Sequence, residues 1–401
     1  MDDVRPPTTV SGPHIVLLAP ALAPAIGGGE SLATGLAVVL ARTHELTVLT
    51  AAEPAPELVR VLEASGAEVI VVAAEGRTGI RQAPWERSMF ALAHSIHDLV
   101  DQSPVFAVWA LSHESAVAAS IALADDNATK LITTYSEVAT EHFPFGRSRA
   151  EFAYTLPRID LHIALSETYR AIAAERGAAS TRLMMNPLGF DVDAIRSGDA
   201  RTGRDLLQVG PNDTVVFCPS RFSERKGQLV LLDAWEAVGQ HGEVLVLAGS
   251  GHSAESAYVE KLRSRVASWS GQAAVQLLED GVARLDIPHA LAAARTLVQP
   301  SFFEGLGYSA LEGMAAGIPC VLTDAPGFDT FADPGTNCLV VPPRDAAALG
   351  KALRVSLDDD SVRRRLSQGG RATGAQFSLV ENLRAVLERA GASHREGRPQ
   401  R

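Results

Sequence analysis

Two stretches of the chain set charged side chains among glycines in a pattern suited to phosphate and sugar chemistry. The first is RFSERKG at 221–227, where Arg221 offers a planar fork of donors and Lys226 a compact charge. It follows the strand-like run TVVFCPS directly, so both cations can converge at one open strand end, as neutralising a diphosphate requires. The second is SFFEGLGYSALEGMAAGIP at 301–319. Glu304 falls in the loop after TLVQPS, and Glu312 lies eight residues later, inside a helix expected to start near Gly307 or Tyr308. Gly305 and Gly307 open the backbone at that helix start, where amides can donate to a diphosphate or to sugar hydroxyls. Glu304 can then accept hydrogen bonds from a sugar, and Glu312, farther along the helix, from a hydroxyl pair such as a ribose. Solvated surface charges are the bland alternative for all four side chains.

Other signals carry less. GGGE at 27–30 stands between the first strand and the first helix, and its Gly28 and Gly29 would let backbone approach a ligand at a helix N-terminus. The spacing is not GxGxxG, and a simple tight turn explains it equally. AGSGH at 248–252 repeats the theme, with Gly249 either near a nucleotide or plain turn punctuation. His113 comes a few residues past VFAVWA and is the histidine of the N-terminal half best placed for a bound sugar, with a structural histidine as the alternative. TYSEVATEHFPFGRSR at 134–149 mixes aromatic, acidic and basic residues as an acceptor-facing loop would. Its Glu137, Glu141 and His142 lack the HExxH spacing, so no metal site is expected there.

The elements that must hold these residues are strand-like apolar runs alternating with helix-length segments. HIVLLAP (14–20), LTVLT (46–50), AEVIVVAA (67–74), VFAVWA (105–110), KLITTY (130–135) and DLHIALS (160–166) form one series. TVVFCPS (214–220), EVLVLAGS (243–250), AAVQLLE, TLVQPS, IPCVLTD and NCLVVPP (337–343) form another. Both predict parallel strands with crossover helices, and ligands in such sheets bind beyond the carboxyl ends of the strands. Between the series the chain turns polar and aperiodic near 188–212, and 401 residues suffice for two such domains. RRRLSQGGRATGAQFSLVENLRAVLERA is expected to be helical on both sides of its glycine break.

The net charge of −11 argues against a broad nucleic-acid or acidic-membrane surface. No apolar run reaches the roughly 20 residues of a membrane span, and MDDVRPPTTVSGPH lacks the pattern of a signal peptide. Cys218, Cys320 and Cys338 have no close spacing, so neither a disulfide framework nor a zinc site is indicated.

From about His14 to Ala390, and most strongly over 217–227 and 297–343, the chain resembles the retaining glycosyltransferases of family 4, through Glu304 and Glu312 with seven residues between them in the setting GLGYSALEGMAAGIP. The resemblance implies the GT-B architecture, two Rossmann-like α/β domains facing across a deep cleft. It assigns residues 1–190 to an acceptor-side domain, 191–375 to a donor-binding domain and 376–401 to a C-terminal helix, packing back toward the first domain, and a tail. It also implies that Arg221 and Lys226 stabilise the leaving diphosphate, that Glu304 meets the donor sugar and Glu312 the ribose. Amides around Gly305, Leu306 and Gly307 look toward phosphates and sugar, and Gly28, Gly29 and Gly249 lie near the donor. The family's histidine at the end of the fourth strand is replaced here by WALS, with His113 following. Near Thr323, DAPGFDT stands for the usual glycine pair and glutamate, with Asp329 in part of that place. The expected enzyme is cytoplasmic and needs no cofactor or metal. It uses a nucleotide-diphosphate sugar, UDP-sugar foremost, as donor and a hydroxylated soluble or glycan-precursor acceptor. Neither nucleic acid nor integral membrane association is expected, and a homo-oligomer is compatible. A sugar-nucleotide epimerase of the same fold and a non-catalytic binding module are the alternatives; a dinucleotide oxidoreductase would need the missing GxGxxG.

Overall fold

The computed structural model describes residues 12–19, 22, 28–72, 84–135, 157–250 and 256–392. Gly27, the stretch 136–149 with Glu137, Glu141 and His142, and His252 lie outside the described residues, as does the terminal segment from 393 on. The chain divides into two compact units: one takes in most of the chain up to Leu188 together with the part from Leu379 onward, the other Gly189–Ser378 together with Gly28.

In the first unit the described strands are β1 (Gly12–Ala19), β2 (His44–Thr50), β3 (Glu68–Val71), β4 (Ala107–Ala110), β5 (Lys130–Tyr135), β6 (Leu161–Ala164) and β7 (Leu183–Met185). They lie in the order β3-β2-β1-β4-β5-β6-β7, every pair parallel. The second unit has β8 (Thr214–Pro219), β9 (Glu243–Ala248), β10 (Ala274–Leu278), β11 (Thr296–Gln299), β12 (Cys320–Thr323) and β13 (Cys338–Val341), in the order β10-β9-β8-β11-β12-β13 and again all parallel. Parallel neighbours demand crossovers, and crossover helices cover both sheet faces. That is why consecutive residues Ile15, Val16, Leu17 and Leu18 are all fully buried instead of alternating. Both units are Rossmann-like. The strand order reverses direction between β1 and β4 in one and between β8 and β11 in the other, and these switch points are where such sheets open a ligand crevice.

Two expectations change. Leu183–Met185 is a strand that the apolar pattern does not predict: Leu183 and Met184 are only half-buried and Met185 is exposed, at a sheet edge. The glycine pair Gly369–Gly370 does not break its helix, which runs unbroken over Asp360–Gly374. The glycines serve close packing instead: a Cβ on Gly370 would stand 3.3 Å from Met314 Cα, and one on Gly374 would stand 2.6 Å from Ala315 Cα. The helix Tyr308–Ala316, which carries Glu312, is thereby pinned from behind. In the first unit the helix Leu379–Ala392 buries Leu379, Leu383, Val386 and Ala390 on one stripe. Asn382 Nδ2 donates to the Leu188 carbonyl at 2.8 Å, and Asn186 Nδ2 donates back to the Asn382 carbonyl at 3.2 Å. Among the described residues no helix is long and apolar enough to cross a membrane.

Candidate functional site

At the switch point of the second unit, β8 runs out into Ser220 and Arg221, and β11 into Ser301 and Glu304. The first loop is held by Gln228, which has no solvent exposure at all. Its Nε2 donates to Ser220 Oγ at 2.9 Å and to the Arg221 carbonyl at 2.7 Å, while its Oε1 accepts from the Tyr258 hydroxyl at 3.0 Å. A single 3₁₀ turn, Glu224–Lys226, then closes on Gly227, whose φ of 70° starts the helix Gln228–Val238. A side chain at Gly227 would collide with the Pro300 carbonyl, so glycine is what lets this turn touch the β11 loop.

The two loops are stitched together over a sequence separation of 78 residues, with Arg225 Nη1 donating to the Phe303 carbonyl at 3.0 Å. The Phe302 amide returns a bond to the Arg225 carbonyl at 2.7 Å. At the centre Lys226 Nζ donates to Glu304 Oε1 at 2.6 Å, and Ser301 Oγ donates to the same oxygen at 2.6 Å. Burial pushes the Glu304 carboxyl up, but the charges of Lys226 and Arg225 and the two hydrogen bonds outweigh it and hold the group below the usual carboxylate range. For Lys226 burial prevails: it lowers the ammonium pKa, Arg225 and Arg221 push the same way, and Glu304 opposes. The Arg221 charge is therefore felt at Lys226, and its guanidinium belongs to the same cationic end of β8.

Beyond Glu304 the chain enters the helix Tyr308–Ala316 through Gly305, Leu306 and Gly307. The Glu304 amide is committed to the Pro326 carbonyl at 2.9 Å. Leu306 is buried. Gly307 is the N-cap, with φ 87° and no side-chain cap, and a Cβ there would stand 2.4 Å from the Phe328 ring. An uncapped helix start of this kind favours negative charge.

Glu312 is 4% exposed. Arg284, in the short turn Arg284–Asp286 after β10, brings Nη1 to 2.5 Å from Glu312 Oε1. That is an ion pair by distance without hydrogen-bond geometry, for Oε1 has no hydrogen-bond partner among the described residues. Tyr308, one turn earlier, hydrogen-bonds the Gly189 backbone, and its burial raises the phenol pKa.

Arg221, Lys226, Glu304, Gly305, Leu306, Gly307 and Glu312 thus fall on neighbouring loops and one helix of the second unit. Gly249 follows β9, yet its amide donates to the Leu278 carbonyl at 3.0 Å, and a Cβ would lie 1.9 Å from the Ser220 carbonyl. Its glycine is demanded by contact between strand-end loops, whatever else passes close. Gly28, grouped with the second unit, and Gly29, in the first, open the helix Gly28–Ala41, and a Cβ on Gly29 would meet nothing within 4 Å. His113 is the first residue of the helix His113–Ala122, whose cap Ser112 accepts from the Ser115 amide at 3.2 Å; the His113 side chain lies outside the described residues. Ser301, Gln228, Arg225 and Arg284 were not anticipated. Arg225 and Ser301 stand inside the two stretches but carry no pattern of their own, and Arg225 and Arg284 find their partners Phe303 and Glu312 far along the chain. Among the described residues no group of three or more His, Cys, Asp or Glu is placed to hold a metal ion.

Residues 213–359 match the family described as Glycosyl transferases group 1. Over 94 residues the chain is 40% identical to O-antigen chain mannosyltransferase B of Escherichia coli, covering 23% of this chain and 24% of that one. Over 218 residues it is 29% identical to a D-inositol 3-phosphate glycosyltransferase of Xylanimonas cellulosilytica, covering 53% and 52%. The chain therefore spans about a quarter of the first relative's length and half of the second's. Among solved structures, that of Anabaena Alr3699/HepE in complex with UDP and glucose superposes with a TM-score of 0.78 at 20% identity, over 94% of this chain and 99% of that one. The fold is accordingly GT-B, and the unit that holds Lys226, Glu304 and Glu312 is related to the group 1 glycosyl transferases.

Proposed function

We propose that this chain is a retaining glycosyltransferase of family 4 that moves a sugar from UDP-sugar to a hydroxyl of a small soluble or glycan-precursor acceptor. The observation that carries the proposal is the Lys226–Glu304 pair at 2.6 Å, which unites the basic loop after β8 and the acidic loop after β11 at the switch point of their sheet. A cation and a sugar-binding carboxylate are what the two ends of a glycosyl–phosphate bond call for. Arg221, Lys226 and the uncapped start of the helix Tyr308–Ala316 stabilise charge that grows on the departing diphosphate. Glu304, kept ionised, accepts from sugar hydroxyls, and Glu312 accepts from the ribose. The transfer follows the front-face course that the family resemblance implies, in which the leaving phosphate takes the acceptor's proton.

UDP is the favoured nucleotide because a protein of closely similar fold has been crystallised with UDP and glucose. A cyclitol-type or glycan acceptor is in keeping with relatives named for D-inositol 3-phosphate and for the O-antigen chain. In this reading residues 1–190 serve the acceptor, 191–375 the donor, and the work is done in the cytoplasm, where nucleotide sugars are made. Calorimetric titration with a panel of nucleoside diphosphates, followed by NMR of the anomeric proton in the product, tests it. Submillimolar UDP binding and a retained anomer are expected. Binding of no nucleoside diphosphate, or release of an epimerised sugar nucleotide without any acceptor, would defeat it.

A further inference from the structure

Ser301 is 1% exposed and lies three residues before Glu304. Its hydroxyl donates to Glu304 Oε1 at 2.6 Å, the oxygen that also receives Lys226 Nζ at 2.6 Å. Among the described residues both donors fall on Oε1 and none on Oε2, and Oε2 is not one of the sealed, unpartnered atoms of the molecule. The serine is itself anchored from behind, since its carbonyl accepts a short hydrogen bond from Thr323 Oγ1 at the end of β12. The Glu304 backbone is fixed separately by its amide bond to Pro326. With one carboxylate oxygen accepting two hydrogen bonds and the backbone amide held, the side chain is restrained from both ends.

We propose that Ser301 is a positioning residue for the transfer: with Lys226 it saturates Oε1 of Glu304 and so presents Oε2, ionised, to a hydroxyl of the donor sugar. The proposal deepens the glycosyltransferase reading of this site and rests on it. Lys226 alone could not do this work, because it must also serve the donor diphosphate. When the phosphate draws on the ammonium, the serine keeps Oε1 occupied and the carboxylate in place. The hydroxyl stabilises the charged form of Glu304 more than the neutral one, so its loss moves the carboxyl toward neutral pH.

The test is Ser301→Ala, with Ser301→Cys as a companion of nearly the same volume and a weaker donor. Turnover and KM for the sugar nucleotide that the wild-type chain uses are measured across pH 4–8, free UDP affinity by calorimetry, and folding by the thermal midpoint. A merely structural serine would change the midpoint and leave the pH profile alone. For Ser301→Ala we expect kcat about tenfold lower, as for one hydrogen bond to a charged group, and an acid limb displaced toward neutral pH. Free UDP should still bind within about twofold, and Ser301→Cys should fall between. Should the alanine variant not fold, the acid limb of the cysteine variant decides. Transfer by wild type with unaltered kcat and acid limb in the variants would overturn the role of Ser301 and leave the enzyme reading standing. No transfer by wild type from any donor it binds would overturn both.

Discussion

The two switch points of this molecule share a topology and differ in chemistry. Between β8 and β11 the strand ends carry Arg221, Arg225, Lys226, Ser301 and Glu304, with the carboxylate buried and the Lys226 side chain, 11% exposed, set against it. Between β1 and β4 the corresponding positions carry Gly28, Gly29, Ser112 and His113, and the cap hydrogen bond there is neutral, from the Ser115 amide to the Ser112 hydroxyl. Strand order selects the place where a ligand can sit. What can be done there depends on a few loop side chains. Burying a cation and an anion costs desolvation that only good geometry and further hydrogen bonds offset. The Lys226–Glu304–Ser301 cluster supplies both.

The difference can be broken most forcefully at Lys226. Lys226→Ala strands Glu304 as a buried, unpaired carboxylate, and a urea titration should show about 3–5 kcal/mol of lost stability. Transfer should fall by about 100-fold or more in the fraction that remains folded, as when one preorganised donor to developing charge is removed. A variant as stable and as active as wild type would reduce the pair to decoration.

A matched pair of glycine substitutions sharpens the contrast next. Gly307→Ala forces an L side chain to φ 87° and into the Phe328 ring, and should cost about 1–2 kcal/mol or more. Gly29→Ala enters open space and should change stability by no more than about 0.5 kcal/mol. If substrate nonetheless passes close to Gly29, KM rises while the thermal midpoint stays put. Equal thermal loss in the two variants would contradict the packing described for them.

Acid titration is a gentler probe of the same cluster. Glu304 is held below the ordinary carboxylate range in the folded chain, so its stabilising contribution is complete above about pH 4.3 and disappears as the pH falls through the depressed folded value. Denaturation midpoints of wild type should therefore decline more steeply below that pH than those of Glu304→Gln. Parallel declines would mean that the carboxylate is not held as described.

The smallest effect is expected in the first unit. His113→Ala should lower kcat by less than about tenfold and leave UDP affinity untouched. Unchanged turnover at saturating substrate would make it a plain helix-opening residue after the Ser112 cap.

The contrast also explains what could be read from the sequence. Strands buried on both faces announce themselves as apolar runs, and KLITTY coincides with β5, Lys130–Tyr135. The glycine pair Gly369–Gly370 reads as a break because composition does not reveal that the Thr336 carbonyl lies against Gly369 and the helix Tyr308–Ala316 against Gly370. At the site the residue types of Arg221, Lys226, Glu304 and Glu312 were legible, because charge beside glycine at a strand end is a local pattern. The contacts were not. Lys226 and Glu304 meet across 78 residues, and Arg284 reaches Glu312 from a turn with no motif. Ser301 looked like any serine after a proline until its hydroxyl was seen on Oε1.

The most direct measurement is a calorimetric comparison of wild type, Glu304→Gln and Glu312→Gln, each titrated with free UDP and separately with intact UDP-sugar. If the switch point between β8 and β11 holds the donor with its sugar at Glu304 and its ribose at Glu312, Glu304→Gln binds UDP as wild type does and loses affinity only for the intact donor. Glu312→Gln should lose about 1.5–3 kcal/mol toward both ligands, the worth of a hydrogen bond to a charged group. Loss of UDP affinity in Glu304→Gln with full retention in Glu312→Gln would contradict that placement.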